Sequence, residues 1–352
     1  MNKVLAILFF LAACAILISY KIPDNSIVFE KKEKLSDYSF FKDRLSDLNP
    51  AEGIIPFDIN TPLFSNYAEK LRFIKIPKDK KAQYNDSGFF QMPVGTVLIK
   101  NFYFLKDARD ERKGRIILET RLLVNEENGW NAYPYIWNDE QTEAYYEVAG
   151  DKKAIGYINK DGKKLTAQYL IPNKNQCKGC HLENNKMVPV GIAARHLNKN
   201  FDYREKGVRN QLQQWKELNI LEGLPDNIIS IPANADWEND NVSMELKARS
   251  YLDINCGNCH SRKGPANTSG FFLDIHEKDP TALGVFKTPV AAGRGSGGLK
   301  FDIVPGKPDQ SILLFRMKTN DPGIAMPELG REQLHKEGIE LISNWIRQMK
   351  SN

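Results

Sequence analysis

Apolar and polar positions alternate with a period of two through much of the first half of the chain. Residues 70–77 place Leu71 and Phe73 on one face and, after a slip, Ile74 and Ile76. Residues 94–104 are β-branched and aromatic, and residues 115–124 form a third such run. Turn chemistry separates them: Asp86-Ser87-Gly88, Met92-Pro93-Val94-Gly95 and Glu127-Asn128-Gly129. Residues 154–158 and 165–170 read as the arms of a hairpin turning through Gly162. Several short strands spaced by such turns predict a β-rich domain over residues 51–170, a sandwich or a small barrel. Trp130, Tyr133, Tyr135 and Trp137 either line a groove or pack an aromatic strand face into the core. Glu119 and Arg121 point the same way and form either a binding pair or a self-satisfied one.

Beyond residue 170 the period lengthens toward that of a helix. Val208, Leu212, Trp215 and Leu218 recur at helical spacing within residues 207–221, and Gly223-Leu224-Pro225 stops the run. Residues 230–241 are rich in Pro, Asn and Asp and mark a linker. Further helices are predicted over residues 244–254, 312–318 and 333–349. The last turns Ile339, Leu341, Ile342, Trp345 and Ile346 inward.

The candidate chemistry lies in this second half. Cys177-Lys178-Gly179-Cys180-His181 and Cys256-Gly257-Asn258-Cys259-His260 are two copies of Cys-x-x-Cys-His, the attachment sequence of a c-type haem. Cys177, Cys180, Cys256 and Cys259 would form thioethers to vinyl groups, giving two covalently attached haem c groups. His181 and His260 would ligate iron from one face. A Met or His commonly takes the other face. For the second motif Met326 is the candidate, ahead of the closing helix, with Met317 and His335 as competitors. For the first, Met187 and His196 stand level, and an iron without a protein ligand on that face is the third option. The competing reading of the four thiols is an all-thiolate zinc site, which does not require a His after each pair. Each unit, residues 171–229 and 242–352, is therefore expected to be a mostly α-helical, cytochrome c-like body. The fold expectation for the whole chain is α+β multidomain.

At 352 residues the chain has room for two or three domains. Its net charge of +5, from 49 basic and 44 acidic residues, is too balanced to indicate nucleic acid. Of five cysteines, Cys14 alone lies outside the motifs. It falls in an apolar leader, residues 1–20, behind Lys3, in the pattern of a secretory signal. Leu11-Ala12-Ala13-Cys14 resembles a bacterial lipobox, although residues 15–18 stay apolar; the alternative is an uncleaved anchor at the short limit for a bilayer span. Residues 21–50 read as a tether. Both alternatives put the body outside the cytoplasmic membrane, periplasmic or at the cell surface. Haem attachment in bacteria requires that location.

The motifs as a set resemble the exported bacterial dihaem c-type cytochromes of unassigned function, some of which are associated with quinoprotein glucose/sorbosone dehydrogenase-like domains. The resemblance rests on residues 61–67, 95–102, 119–124, 175–181 and 289–293, and on 303–306 through 326–331, spanning nearly all of the chain after the leader. It implies two covalent haems at the Cys and His positions above, and Met326 as a distal ligand. The motif content itself reads as electron transfer between a periplasmic or surface dehydrogenase, a quinoprotein-type enzyme among the candidates, and a respiratory acceptor. The alternative is a dihaem enzyme of the peroxidase type with one open iron.

Overall fold

The computed structural model describes residues 29–350, Arg331 apart. The leader, Cys14 and the first part of the tether lie outside the described residues. No helix among those described is long and apolar enough to cross a membrane.

The framework is one six-stranded antiparallel sheet in simple meander order. Its strands are β1 (Ile55–Phe57), β2 (Glu69–Lys75), β3 (Val97–Leu105), β4 (Arg115–Glu126), β5 (Gly129–Trp137) and β6 (Ala144–Tyr146). The register pairs Arg72 with Lys100, Lys100 with Arg121, and Leu123 with Ala132. A bulge between Phe102 and Tyr103 shifts the β3–β4 pairing by one residue. The predicted hairpin forms as β7 (Asp151–Ile158) and β8 (Lys164–Ile171), with Ile158 opposite Lys164.

Both faces of the sheet are covered, because the strands carry apolar residues on both. One face buries Phe73, Ile99, Leu122, Val124, Tyr135 and Trp137 against Leu35, Phe40, Phe41, Leu48 and Ile54 from the N-terminal segment. Trp137 donates its indole N–H to Thr120 Oγ1 at 2.9 Å. The other face, through Ile74, Leu98, Leu123 and Ala132, is continuous with Cys177, Ile192, Leu197, Leu212, Trp215 and Ile254. The first Cys-x-x-Cys-His segment thus shares its core with the sheet.

This architecture corrects the expected fold class. The sheet is open rather than a closed barrel, and it is covered by loops, short helices and the two-stranded β7–β8 hairpin, whose Ile155, Ala167, Tyr169 and Ile171 pack on Phe102, Phe104 and Leu118, rather than by a second sheet of comparable size. The two expected mostly α-helical units are absent as such. Residues 29–350 contain six α-helices: α1 (Lys174–Cys180), α2 (Ala194–Leu197), α3 (Gln211–Glu217), α4 (Met244–Leu252), α5 (Ile312–Met317) and α6 (Lys336–Gln348). The physical reason is visible at α3. Val208–Asn210 pairs as a strand with Asn200–Asp202, so the helix starts only where Asn210 caps the N–H groups of Leu212 and Gln213. After Glu217 the chain turns, and Leu221–Glu222 pairs with Ala82–Gln83. Around the second motif, α4 and α6 pack together through Ala248, Tyr251, Leu252, Leu341, Ile342 and Trp345. Most of residues 258–311 is turn, bend and single-turn helix.

Candidate functional site

The first motif is delivered by α1. A reciprocal capping box starts it: the Asn173 side chain accepts from Gln176 N–H, and the Gln176 side chain accepts from Asn173 N–H. Cys177 and Cys180 then lie three residues apart on one side of the helix. His181 closes the helix, its N–H donating to the Cys177 carbonyl at 3.2 Å. The second motif follows α4, which Ser243 caps, through a π-helical turn at Asp253–Gly257. Here His260 N–H reaches the Cys256 carbonyl at 2.8 Å. Gly257 lies close against the next segment, since a Cβ there would meet the Asp274 backbone at 3.0 Å.

Both histidines are held in one tautomer. His181 Nδ1 lies 2.9 Å from the Val188 carbonyl, and His260 Nδ1 lies 3.2 Å from the Phe271 carbonyl. A carbonyl only accepts, so Nδ1 carries the proton and Nε2 keeps its lone pair. Burial, reinforced by the Lys100 charge, pushes His181 down to about 4, against the opposing pull of the Val188 carbonyl. Burial also lowers His260. Each ring is therefore a neutral imidazole at neutral pH with Nε2 available, the state that ligates iron.

His181 and both thiols of its motif open on a cleft between α1 and the sheet. Leu98, Phe102, Leu123, Ile192 and Leu329 supply apolar walls, and Lys70, Arg72, Lys100 and Arg121 line it from the strands. Burial raises all four motif thiols, Cys256 to about 12 and Cys259 to about 11. Among the described residues no three His, Cys, Asp or Glu side chains converge as a metal cage requires. A porphyrin needs only one protein imidazole and two thiols per motif, and these are in place.

The two motifs touch. Cys259 Sγ lies 3.4 Å from the Gly179 carbonyl. Asn184 N–H donates to Lys263 O at 2.9 Å, and Lys263 pairs with Glu183 at 3.3 Å. The loop carrying Met326 passes the same junction: Leu329 packs on Gly179, and Glu328 acts electrostatically on Cys180, Cys259 and His260.

The remaining candidates are placed as follows. Met187 lines the first cleft, on a short strand pairing back to Leu182 beside His181. His196 is buried outside the cleft lining, with Nδ1 3.5 Å from Asn234 and Nε2 3.5 Å from Asp253, so both ring nitrogens face other partners. Met326 is half-buried, its N–H donating to Arg316 O at 3.1 Å; Arg316 is itself one of the charges felt by His260. His335 stacks on Phe64 at 4.2 Å and takes Tyr251 Oη at Nδ1, 2.8 Å away. Glu119 and Arg121 form a buried bidentate pair at 2.6 and 2.5 Å.

Two features escaped the sequence reading. One is the row of cations inside the sheet; its signal was Lys100 embedded in an apolar strand, with Lys70 and Arg72 two apart. The other is Asp253, fully buried between the motifs. Burial alone would raise its carboxyl, but Arg195, His196 and Asn234 bring it down to about 2. The chain matches no family model, no curated protein and no solved structure.

Proposed function

We propose that this chain is an exported dihaem c-type electron-transfer protein. The observation that carries the reading is the paired geometry. Two Cys-x-x-Cys-His segments each present a neutral imidazole, fixed through Nδ1 to a backbone carbonyl, and they contact each other at Cys259 and Gly179. Haem iron held there would supply reversible one-electron chemistry. The chain's own work would be to hold the imidazoles in register, to exclude water with the apolar residues of the cleft wall, and to keep the two sites adjacent. Met326, on the loop that passes the motif junction, would hold the second haem's iron together with His260. A lipid on Cys14 or the leader tethers the body at the membrane, and the redox partner is a dehydrogenase, a quinoprotein-type enzyme among the candidates.

One observation favours the peroxidase-type reading as the second choice. His196 is engaged by Asp253 and Asn234, outside the cleft lining, which leaves Met187, on the strand beside His181, as the candidate there among the described residues. If Met187 packs along that strand and not toward the iron, a haem held by His181 would be open to peroxide. The test is haem quantification by the pyridine assay, with a paramagnetic-resonance spectrum of the oxidised protein. Two low-spin haems per chain support the electron carrier. One high-spin haem with peroxide turnover moves the assignment to the enzyme. No covalent haem refutes both.

A further inference from the structure

Strands β2, β3 and β4 set Arg72, Lys100 and Arg121 directly opposite one another, in a row on the face that lines the first cleft. Lys70 lies one pair further along, opposite Phe102. Like charges at directly opposed positions repel, and a row of four cations in a mostly buried sheet calls for anions. Two acids answer the arginines. Asp58 pairs with Arg72 at 2.5 Å and also with Lys199 at 3.0 Å. Glu119 pairs with Arg121 and accepts from Tyr169 Oη at 2.7 Å. Both acids are thereby engaged. Lys100 Nζ makes no hydrogen bond or ion pair among the described residues, and Lys70 Nζ reaches only the Ala68 carbonyl at 3.0 Å. Burial and the neighbouring guanidinium of Arg72 pull Lys100 down to about 7 and Lys70 well below its ordinary value. Glu119 acts on Lys100 and Glu69 on Lys70 only through space, and both ammonium groups lie over the Phe102 ring, at 6.0 and 5.7 Å, so neither has a carboxylate in direct contact.

The cleft thus has thiols on its α1 wall and, on its sheet wall, two amines without a directly bonded anion. A c-type haem is two-sided in the same sense: its vinyl carbons bond the thiols, and its two propionates lie on the opposite edge. We propose that Lys70 and Lys100 are the seat of the two propionate carboxylates of the haem attached at Cys177 and Cys180. The proposal rests on the haem reading above and adds the orientation of that haem and the residues that set it. Lys70 and Lys100 are positioning residues, acting on the iron only through the porphyrin edge. Placing two cations beside the propionates favours the reduced form, because reduction adds negative charge near them.

The experiment uses the full-length, haem-loaded protein with Lys70→Met, Lys100→Met and Lys100→Arg. The readouts are the propionate bending bands in the resonance Raman spectrum and the two midpoint potentials. Both Met variants are expected to move the propionate bands and to lower one midpoint potential while leaving the other in place; Lys100→Arg restores both signals. Unchanged bands and potentials in both Met variants, with two haems present, overturn this proposal while leaving the dihaem reading intact. Absence of covalent haem overturns both. A third arm titrates inorganic phosphate and acetate into the oxidised wild type. Saturable binding abolished by Lys100→Met would assign the row to an outside oxyanion and overturn the propionate assignment; no response supports it.

Discussion

Replacing Asp253 by Ala is expected to cost more than any other single surface-preserving change at the junction of the two motifs. Its side chain is 1% exposed and receives Arg195 Nε at 2.8 Å, Asn234 Nδ2 at 2.8 Å and Ile275 N–H at 3.0 Å. Arg195, itself only 15% exposed, would be left as an uncompensated charge. Breaking a buried pair from one side costs about 3–5 kcal/mol. The titration of Asp253 gives an independent lower figure. Its carboxyl drops from 3.8 unfolded to about 2 folded, worth ~2 kcal/mol, present above pH 3.8 and lost as pH falls through 2. The assay is urea denaturation of the holoprotein at pH 7, followed by far-ultraviolet circular dichroism, for Asp253→Ala, Arg195→Met and the double variant. Removing both partners removes the orphaned charge, so the double variant should recover at least ~1 kcal/mol relative to the sum of the singles. A single-variant cost below ~1 kcal/mol, or a double variant that recovers nothing, would refute the claim that this ion pair ties the motifs together.

Three further outcomes are expected. Acid should destabilise the protein well above the carboxylate range, because His196 is buried and His335 mostly so, and desolvation lowers each from 6.5 to about 4. Below pH 6.5 the unfolded chain binds protons that the folded one refuses, so stability falls between pH 6.5 and 4 by ~3 kcal/mol per ring; a urea midpoint constant from pH 7 to 4.5 would contradict this. Met326→Ala should abolish the weak long-wavelength charge-transfer band of His/Met ligation in the oxidised spectrum, and a surviving band would transfer the ligand role to Met317 or His335. Ile99→Ala, at a site 1% exposed in the middle of β3, should cost about 2–5 kcal/mol in urea denaturation. A loss under ~1 kcal/mol would mean that this sheet face is not the close-packed core described.

The parts of the fold legible in the sequence were those governed by local pattern. The β2, β3 and β4 strands and the β7–β8 hairpin form within a few residues of where alternation and Gly162 place them, and α4, α5 and α6 form where apolar spacing does. The first-motif surroundings were misread because competing local pairings are decided by tertiary context. Val208 continues the helical period of Leu212 and Trp215, yet it joins a two-strand ribbon, and Leu221 pairs with Ala82, 139 residues earlier in the chain. No periodicity reports such a partner. The same holds for His196: spacing made it a reachable ligand, while its burial against Asp253 depends on a residue that belongs to the second motif's helix.

The chain after residue 170 had read as two modules in series, and the contacts argue for a different logic. Phe64 N–H donates to Asn255 Oδ1 at 2.8 Å, Tyr67 Oη donates to Glu337 at 2.9 Å, and Phe64 stacks on His335. The loop between β1 and β2 therefore braces the second motif, while the sheet face that those strands build lines the cleft of the first. Short helices suffice in such an arrangement because the sheet supplies the wall that a longer helix would otherwise provide. On the proposed electron-transfer reading this matters, since rigid neighbours on both sides would fix the separation of the two sites. It follows that shortening the loop over residues 58–68 should disturb both sites together, whereas changes on the far face of the sheet, at Phe40 or Leu48, should reduce stability without altering either site's spectrum.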